Sequence, residues 1–190
     1  MRQTTITRTT KETDIELYLC LEGGEINIDT GVGFFDHMLT AFAVHACYGL
    51  KVKCKGDIEV DCHHTVEDIG IVLGNALFEV LGDKSNLVRY GSFFVPMDEA
   101  LGFCAVDICN RAYTVFEADF PQEKCGDFDV CMCVEFFRAV ADNAKITLHL
   151  RAPYGDNSHH IAEAIFKAFG HAMSIATERT DKTLSTKGTL

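Results

Sequence analysis

The sequence predicts an α+β fold of two duplicated half-domains, about residues 1–88 and 89–183, followed by a polar tail at 184–190. Three observations carry that expectation. Short segments with alternating apolar residues are interleaved with longer segments of helical spacing, the pattern of mixed strands and helices. One five-residue word occurs twice, as His63-His64-Thr65-Val66-Glu67 and His159-His160-Ile161-Ala162-Glu163. Ahead of each copy the elements come in one order: a Phe-Phe pair at a helix start, a strand, then the repeated word opening a second helix.

Residues 4–21 alternate and are rich in Thr, Ile and Leu; they read as two strands around Lys11-Glu12-Thr13. Glu22-Gly23-Gly24-Glu25 is a turn, and Ile26-Asn27-Ile28-Asp29 a short strand. Thr30-Gly31-Val32-Gly33 leads into a helix from about Phe34 to Tyr48, which Gly49 ends. Leu50 to Cys54 alternates as a strand, Gly56-Asp57 turns the chain, and Ile58-Glu59-Val60 reads as another strand. From His63 to about Leu81 apolar residues fall at helical spacing (Val66, Ile69, Leu73, Leu77, Val80), and Gly82 closes the helix.

The second half repeats the plan. Phe93 to Val95, Leu101 to Asp107 and Ala112 to Phe116 read as strands, and Val130 to about Asn143, containing Phe136-Phe137, reads as a helix. Lys145 to Leu150 is a strand, Tyr154 to Ser158 a loop, and His159 to about Glu178 a long helix. The tail from Leu184 is polar and is expected to be mobile until a ligand orders it.

A chain of 190 residues with 47% hydrophobic content can bury a real core. The net charge of −11 argues against charge-driven binding to nucleic acid, and an anionic ligand must be held by a few local Arg and Lys residues. Nine cysteines, an odd number without a CxxC pair, fit a reducing compartment better than a disulfide framework. The N-terminus lacks the apolar stretch of a signal peptide, and no apolar run reaches membrane-spanning length. A cytoplasmic protein with no membrane partner is expected.

The repeated word is where the chemistry concentrates. On a helix, residues advance by about 100° each, so the first His and the Glu four positions later lie only about 40° apart. The second His lies about 100° from the first, so the two imidazoles diverge and can reach different metal ions. His63, His64, Glu67, His159, His160 and Glu163 could thus fill two sites with two His and one Glu each. Such donors suit Zn, Fe, Ni or Mn, and the pattern does not choose among them.

His37 and His45, eight apart on the first helix, are read as lining one side near the metals. Asp68 points away from the His/Glu sector and is read as structural, His149 as facing solvent and His171 as a surface residue. In an acidic chain an oxyanion calls for always-charged planar donors, which makes Arg89 and Arg111 candidates. Ser185, Thr186 and Lys187 add hydroxyls and an ammonium beside Gly188, a set that fits a phosphate. There is no P-loop, and neither HExxH nor GxSxG occurs.

Gly33-Phe34-Phe35-Asp36-His37-Met38-Leu39 and Asp61-Cys62-His63-His64-Thr65-Val66-Glu67-Asp68 resemble the imidazoleglycerol-phosphate dehydratase family. Met97-Asp98-Glu99-Ala100-Leu101, Asn157-Ser158-His159-His160-Ile161-Ala162-Glu163-Ala164 and Ser185-Thr186-Lys187-Gly188 extend the likeness over essentially the whole chain, in family order. The resemblance implies a hydro-lyase of histidine biosynthesis with two duplicated halves whose helices pack between two β-sheets. It also implies a homo-oligomer of twenty-four subunits, with two Mn2+ per active site completed between neighbours.

By matching position, His37, His63, His64, Glu67, His159, His160 and Glu163 would be metal ligands. Glu135 stands where the family often has His, and is either a substitute metal ligand or a residue that supports the ligands from behind. Glu12, His45, Arg89, Arg111, Ser185 and Lys187 would contact the substrate, with Thr186 beside them, and Glu12 and His45 would move protons. The implied reaction converts imidazoleglycerol phosphate to imidazole acetol phosphate through a metal-bound imidazolate that expels the neighbouring hydroxyl. Asn110, where the family has Gly, and Leu184, where it has Pro, are local departures. A hydrolase of a small phosphorylated molecule, and a metal-binding shell protein without activity, are the alternatives the same inventory leaves open.

Overall fold

The structure, a computed structural model, describes residues 1–182 and 184. The first sheet begins with β1 (Gln3–Thr9) and β2 (Thr13–Cys20), antiparallel around the turn that carries Glu12. Alternation in β2 turns Ile15, Leu17 and Leu19 into the core and sends Asp14 and Glu16 to solvent. β3 (Ile26–Asp29) runs parallel to β4 (Gly49–Gly56), and the sheet order is β1-β2-β4-β3. Two helices complete this half, α1 (Gly33–Ala46) and α2 (His63–Leu81).

The second half contains β5 (Tyr90–Met97), β6 (Ala100–Asp107), β7 (Tyr113–Ala118), the small hairpin β8 (Lys124–Cys125) and β9 (Phe128–Asp129), α3 (Met132–Ala144), β10 (Thr147–Tyr154) and α4 (Ser158–Ala176). Its sheet order, β5-β6-β10-β7, is that of the first sheet, down to one parallel pair at the edge. The helices lie between the two sheets. α2 packs on β1 and β2, α4 on β5 and β6, and the layer closes by pairing α2 with α3 and α1 with α4. Each half therefore contributes one helix to each pair.

A helix covered on both sides has no polar face to spare. In α4, Ile161, Ala162, Ala164, Ile165, Phe166, Ala168, Phe169, Ala172 and Met173 are all buried. Aromatic rings join the layer into one core: Phe35 meets Phe136 at 5.3 Å between centroids, Phe136 meets Phe166 at 5.3 Å, Phe137 meets Phe169 at 5.4 Å, and Phe169 stacks on Phe42 at 4.9 Å.

α1 and α3 end alike. Each stops at a left-handed residue, Cys47 (φ 59°) and Lys145 (φ 55°), and the chain folds back through Tyr48 N–H to Ala43 O and Ile146 N–H to Ala141 O. Gly49, expected to end α1, is instead the first residue of β4. Counted back from these caps, His37 and Glu135 occupy the same place. Phe34-Phe35 and Phe136-Phe137 do not, so the two Phe-Phe pairs are not counterparts and do not mark the repeat.

Other expectations shift. Ile58-Glu59-Val60 is a turn with exposed Ile58 and Val60, closed by Val60 N–H to Asp57 O. β4 is already paired on both sides, by β2 and β3, so the segment that follows it could not fold back on it as a further strand. The β8–β9 hairpin was not foreseen; two-residue strands leave no periodicity to read. β10 extends to Tyr154 through an irregularity after Arg151. Asp68 is structural as read: it accepts from Thr13 Oγ1 at 2.5 Å and Arg8 Nε at 3.0 Å, anchoring the turn that carries Glu12. His149 is exposed as expected. Among the described residues no helix is long and apolar enough to cross a membrane.

Both helix pairs cross at a glycine. A Cβ on Gly74 of α2 would lie 2.7 Å from Val140 O, and one on Gly170 of α4 would lie 2.6 Å from Phe42 O. Alanine at either position is expected to destabilise the protein by about 1–3 kcal/mol through overpacking, despite a helix-propensity gain of about 1 kcal/mol. Urea unfolding of Gly74→Ala and Gly170→Ala checks this; a gain in stability would show that the helices can part at no cost.

Candidate metal centre

The site starts from how α4 begins. Asn157, extended at the N-cap, accepts the backbone N–H of His159 at 2.9 Å and of His160 at 3.4 Å. Ser158 is tied to Gln122 by reciprocal bonds: Gln122 N–H donates to Ser158 Oγ at 2.8 Å and Ser158 N–H to Gln122 Oε1 at 2.7 Å. The first turn of α4 is thereby fixed against the segment leading into β8.

His159 and Glu163, four residues apart, share one face: His159 Nε2 lies 3.2 Å from Glu163 Oε2. Because α1 packs on α4, His37 reaches the same oxygen, with Nε2 at 3.5 Å. The donor atoms of His37, His159 and Glu163 all lie within 4.8 Å of one another, the one such group among the described residues. Two imidazole nitrogens and a carboxylate oxygen suit a first-row divalent cation. Burial works to raise the Glu163 carboxyl, but Lys167, bonded to its other oxygen at 2.8 Å, and the two histidines hold it below its usual value. Phe34 meets His159 edge-on at 5.0 Å, and a recess of about 560 Å³ opens beside His37 and His159, walled by Lys124, Cys125 and Gly126 of the β8–β9 hairpin.

The first copy of the repeated word is less complete. His63 Nε2 lies 3.5 Å from Glu67 Oε2, both half-exposed. Glu135, placed on α3 as His37 is on α1, accepts from Arg138 at 3.0 Å. Among the described residues no third donor joins His63 and Glu67 within the reach seen in the other cluster.

The second histidines turn away, as the helical angle requires. His64 Nδ1 donates to Asp57 at 3.0 Å, and its Nε2 lies 3.8 Å from Glu12. His160 Nδ1 donates to Glu99 at 2.8 Å, and its Nε2 lies 3.8 Å from Asp98. Bonds to these carboxylates raise both imidazoles above their usual pKa, while the bond from His160 holds Glu99 down to about 2. Asp57 and Lys167 were missed in the sequence, and Asp98 and Glu99, though within a family-like segment, were given no role. Lys167 sits one helical turn beyond Glu163, a signal that was there to be read; Asp57, Asp98 and Glu99 lie in turns, where no spacing rule applies.

The remaining candidates lie elsewhere. His45 does not line the metal side: it sits about 12 Å further along α1 than His37 at 1.5 Å per residue. There its Nδ1 donates to Ala41 O at 2.8 Å, and its ring meets His171 at 5.0 Å. His171 is not a plain surface residue. It is partly buried and stacked on Phe93 at 4.2 Å, and burial, with His45 beside it, lowers its pKa. Arg89 Nε and Nη2 donate to the two Asp107 oxygens at 2.7 and 3.1 Å, its Nη1 donates to Leu184 O, and Arg111 Nη2 lies 3.7 Å from Asp107. Arg89 N–H bonds Ala176 O at the far end of α4, about 25 Å from His159 along the axis. Ser185, Thr186 and Lys187 lie outside the described residues.

Residues 30–173 match the family model described as imidazoleglycerol-phosphate dehydratase. Enzymes of that name from Bacillus cereus and Acetivibrio thermocellus are 56% and 55% identical to this chain, covering all of it and 100% and 99% of their own lengths. The crystal structure of imidazoleglycerol-phosphate dehydratase from Staphylococcus aureus superposes with a TM-score of 0.86 at 43% identity, covering 94% of this chain and 99% of that one. The corresponding structure from Pyrococcus furiosus also gives 0.86, at 38% identity, covering 97% and 100%.

The cap that starts α4 is open to test. Asn157→Ala removes the acceptor of two backbone donors and is expected to cost about 1 kcal/mol. Amide exchange at His159 and His160 is expected to quicken while that of β2 stays unchanged; equal protection in the variant would show that Gln122 alone holds the turn.

Proposed function

The chain belongs to the imidazoleglycerol-phosphate dehydratase family, hydro-lyases of histidine biosynthesis, and we propose that it dehydrates imidazoleglycerol phosphate to imidazole acetol phosphate with Mn2+ as its metal. The observation that carries the metal reading is the convergence of His37, His159 and Glu163 across two helices. Binding strength alone does not favour Mn among first-row ions, and the choice of Mn rests on the family resemblance. Glu135, His63 and Glu67 form the counterpart set, because Glu135 stands in the place of His37.

Two observations support sharing of sites between copies. The Nε2 atoms of His64 and His160 face away from the in-chain clusters. Along the helix axes His45 and Arg89 lie about 12 and 25 Å from the His37/His159 end, further than one small substrate spans, and Arg111 shares Asp107 with Arg89. A homo-oligomer of twenty-four subunits, in which His64 and His160 serve a neighbour's cation and His45, Arg89 and Arg111 serve a neighbour's substrate, brings these parts together. All nine cysteines are unpaired, in keeping with a cytoplasmic enzyme.

Bound at these donors, a divalent cation supplies Lewis acidity that eases negative charge on the substrate's ring. The chain does the rest. Arg89, oriented by Asp107, and Arg111, with Ser185, Thr186 and Lys187, bind the phosphate and use that remote binding to orient the reacting carbons. His45 donates Nδ1–H to Ala41 O, which leaves Nε2 as the nitrogen that exchanges a proton with the departing hydroxyl. Glu12, exposed in the β1–β2 turn with its carboxylate 3.8 Å from His64 Nε2, is the carboxylate that takes the carbon-bound proton.

Glu12→Gln is expected to lower kcat by about 10²–10⁴-fold with bound Mn unchanged; loss of metal in that variant would make Glu12 a ligand instead. Incubation of the purified protein with imidazoleglycerol phosphate and Mn should yield the keto product, and release of free phosphate would instead mark a hydrolase. Chelation should abolish turnover and added Mn restore it. Because His64 and His160 hold their protons above the usual imidazole range, Mn uptake by the metal-free protein should weaken as pH falls from 8 towards 6. Uptake independent of pH over that interval would remove both histidines from the ligand set.

A further inference from the structure

His64 and His160 share a feature that the repeated word does not account for. In both, Nδ1 donates to a carboxylate, Asp57 at 3.0 Å and Glu99 at 2.8 Å. The two carboxylates come from different places in the duplicated plan. Asp57 follows β4, whereas Glu99 sits in the turn between β5 and β6. Offsetting α1 and β4 onto α3 and β10 through their matched caps brings Asp57 onto Gly155, which has no side chain. The counterpart of the β5–β6 turn is the β1–β2 turn, whose carboxylate, Glu12, lies by Nε2 rather than Nδ1. Copying one half from the other therefore does not explain the match; each half meets the same chemical demand with a different residue.

Glu99 is held through its carboxylate, whose second oxygen accepts Asp156 N–H at 3.2 Å, whereas Asp57 is held through its backbone, its N–H donating to Glu12 O at 3.1 Å. A carboxylate accepting from Nδ1 fixes the ring's rotation, leaves the lone pair on Nε2, and makes that nitrogen a stronger donor to a cation.

We propose that Asp57 and Glu99 are positioning residues for the metal centres: they hold His64 and His160 with Nε2 presented outward as a ligand. This rests on the metal reading above. His37, His159 and Glu163 meet without them, so removing them should leave the in-chain cluster intact and weaken only the sites that need His64 and His160.

The test is Mn titration of the metal-free full chain, with free Mn followed by electron paramagnetic resonance, for wild type, Asp57→Ala and Glu99→Ala. Each alanine variant is expected to bind its affected class of Mn about 10–100-fold more weakly, with the melting temperature of the metal-free protein unchanged. Asp57→Asn and Glu99→Gln keep an acceptor but lose the charge, and their affinities should fall between wild type and alanine. Wild-type uptake with variant affinities within about twofold of it overturns the inference alone. A lowered melting temperature with unchanged affinity does the same, since it leaves the carboxylates a purely structural part. Should an alanine variant not fold, the amide variants decide by the same twofold criterion. A wild type that takes up no Mn overturns the metal reading, and this inference with it.

Discussion

The structure depends on how closely its helices cross. α1 meets α4, and α2 meets α3, at glycines that let backbone approach backbone. Each pair joins an element from one half to an element from the other, so neither half can bury its helices alone. The same contact brings His37 to His159 and Glu163. A side chain at Gly170 would push α1 off α4 and separate His37 from His159 and Glu163, so packing and the geometry of that cluster answer to one constraint.

The repeated word works through the helical angle. Its first His and its Glu, one turn apart, face a common point, while its second His is carried round to another. In α4 that division is complete: His159 and Glu163 meet His37 inside the chain, and His160 looks outward beside Asp98 and Glu99. A small protein layered between two sheets has few places to enclose a ligand. On the sharing proposed above, the outward-facing histidines would serve a second copy, beside that copy's His45 and arginines.

Duplication set the frame, and the halves then diverged. The second half alone carries Lys167 against Glu163, and the β8–β9 hairpin beside its cluster. The first half has a half-exposed Glu67, and Glu135 stands in α3 at the place that His37 holds in α1. The cluster of the second half is the better buried.

Much was legible before any coordinates. The α+β class, the near-complete list of elements and the in-facing pair of each repeated word follow from local periodicity, and a helix displays its angles in the order of its residues. The family followed from motifs spread over the whole chain. What the chain alone did not reveal depends on elements distant in sequence: that His37 joins the second copy of the word rather than the first, that Glu135 is its counterpart, and that His45 stands apart from the metal side. Asp57 and Glu99 were hidden for the same reason. A turn residue's partner is decided by which strand end packs beside which helix start, and that is a property of the folded layers, not of spacing along the chain.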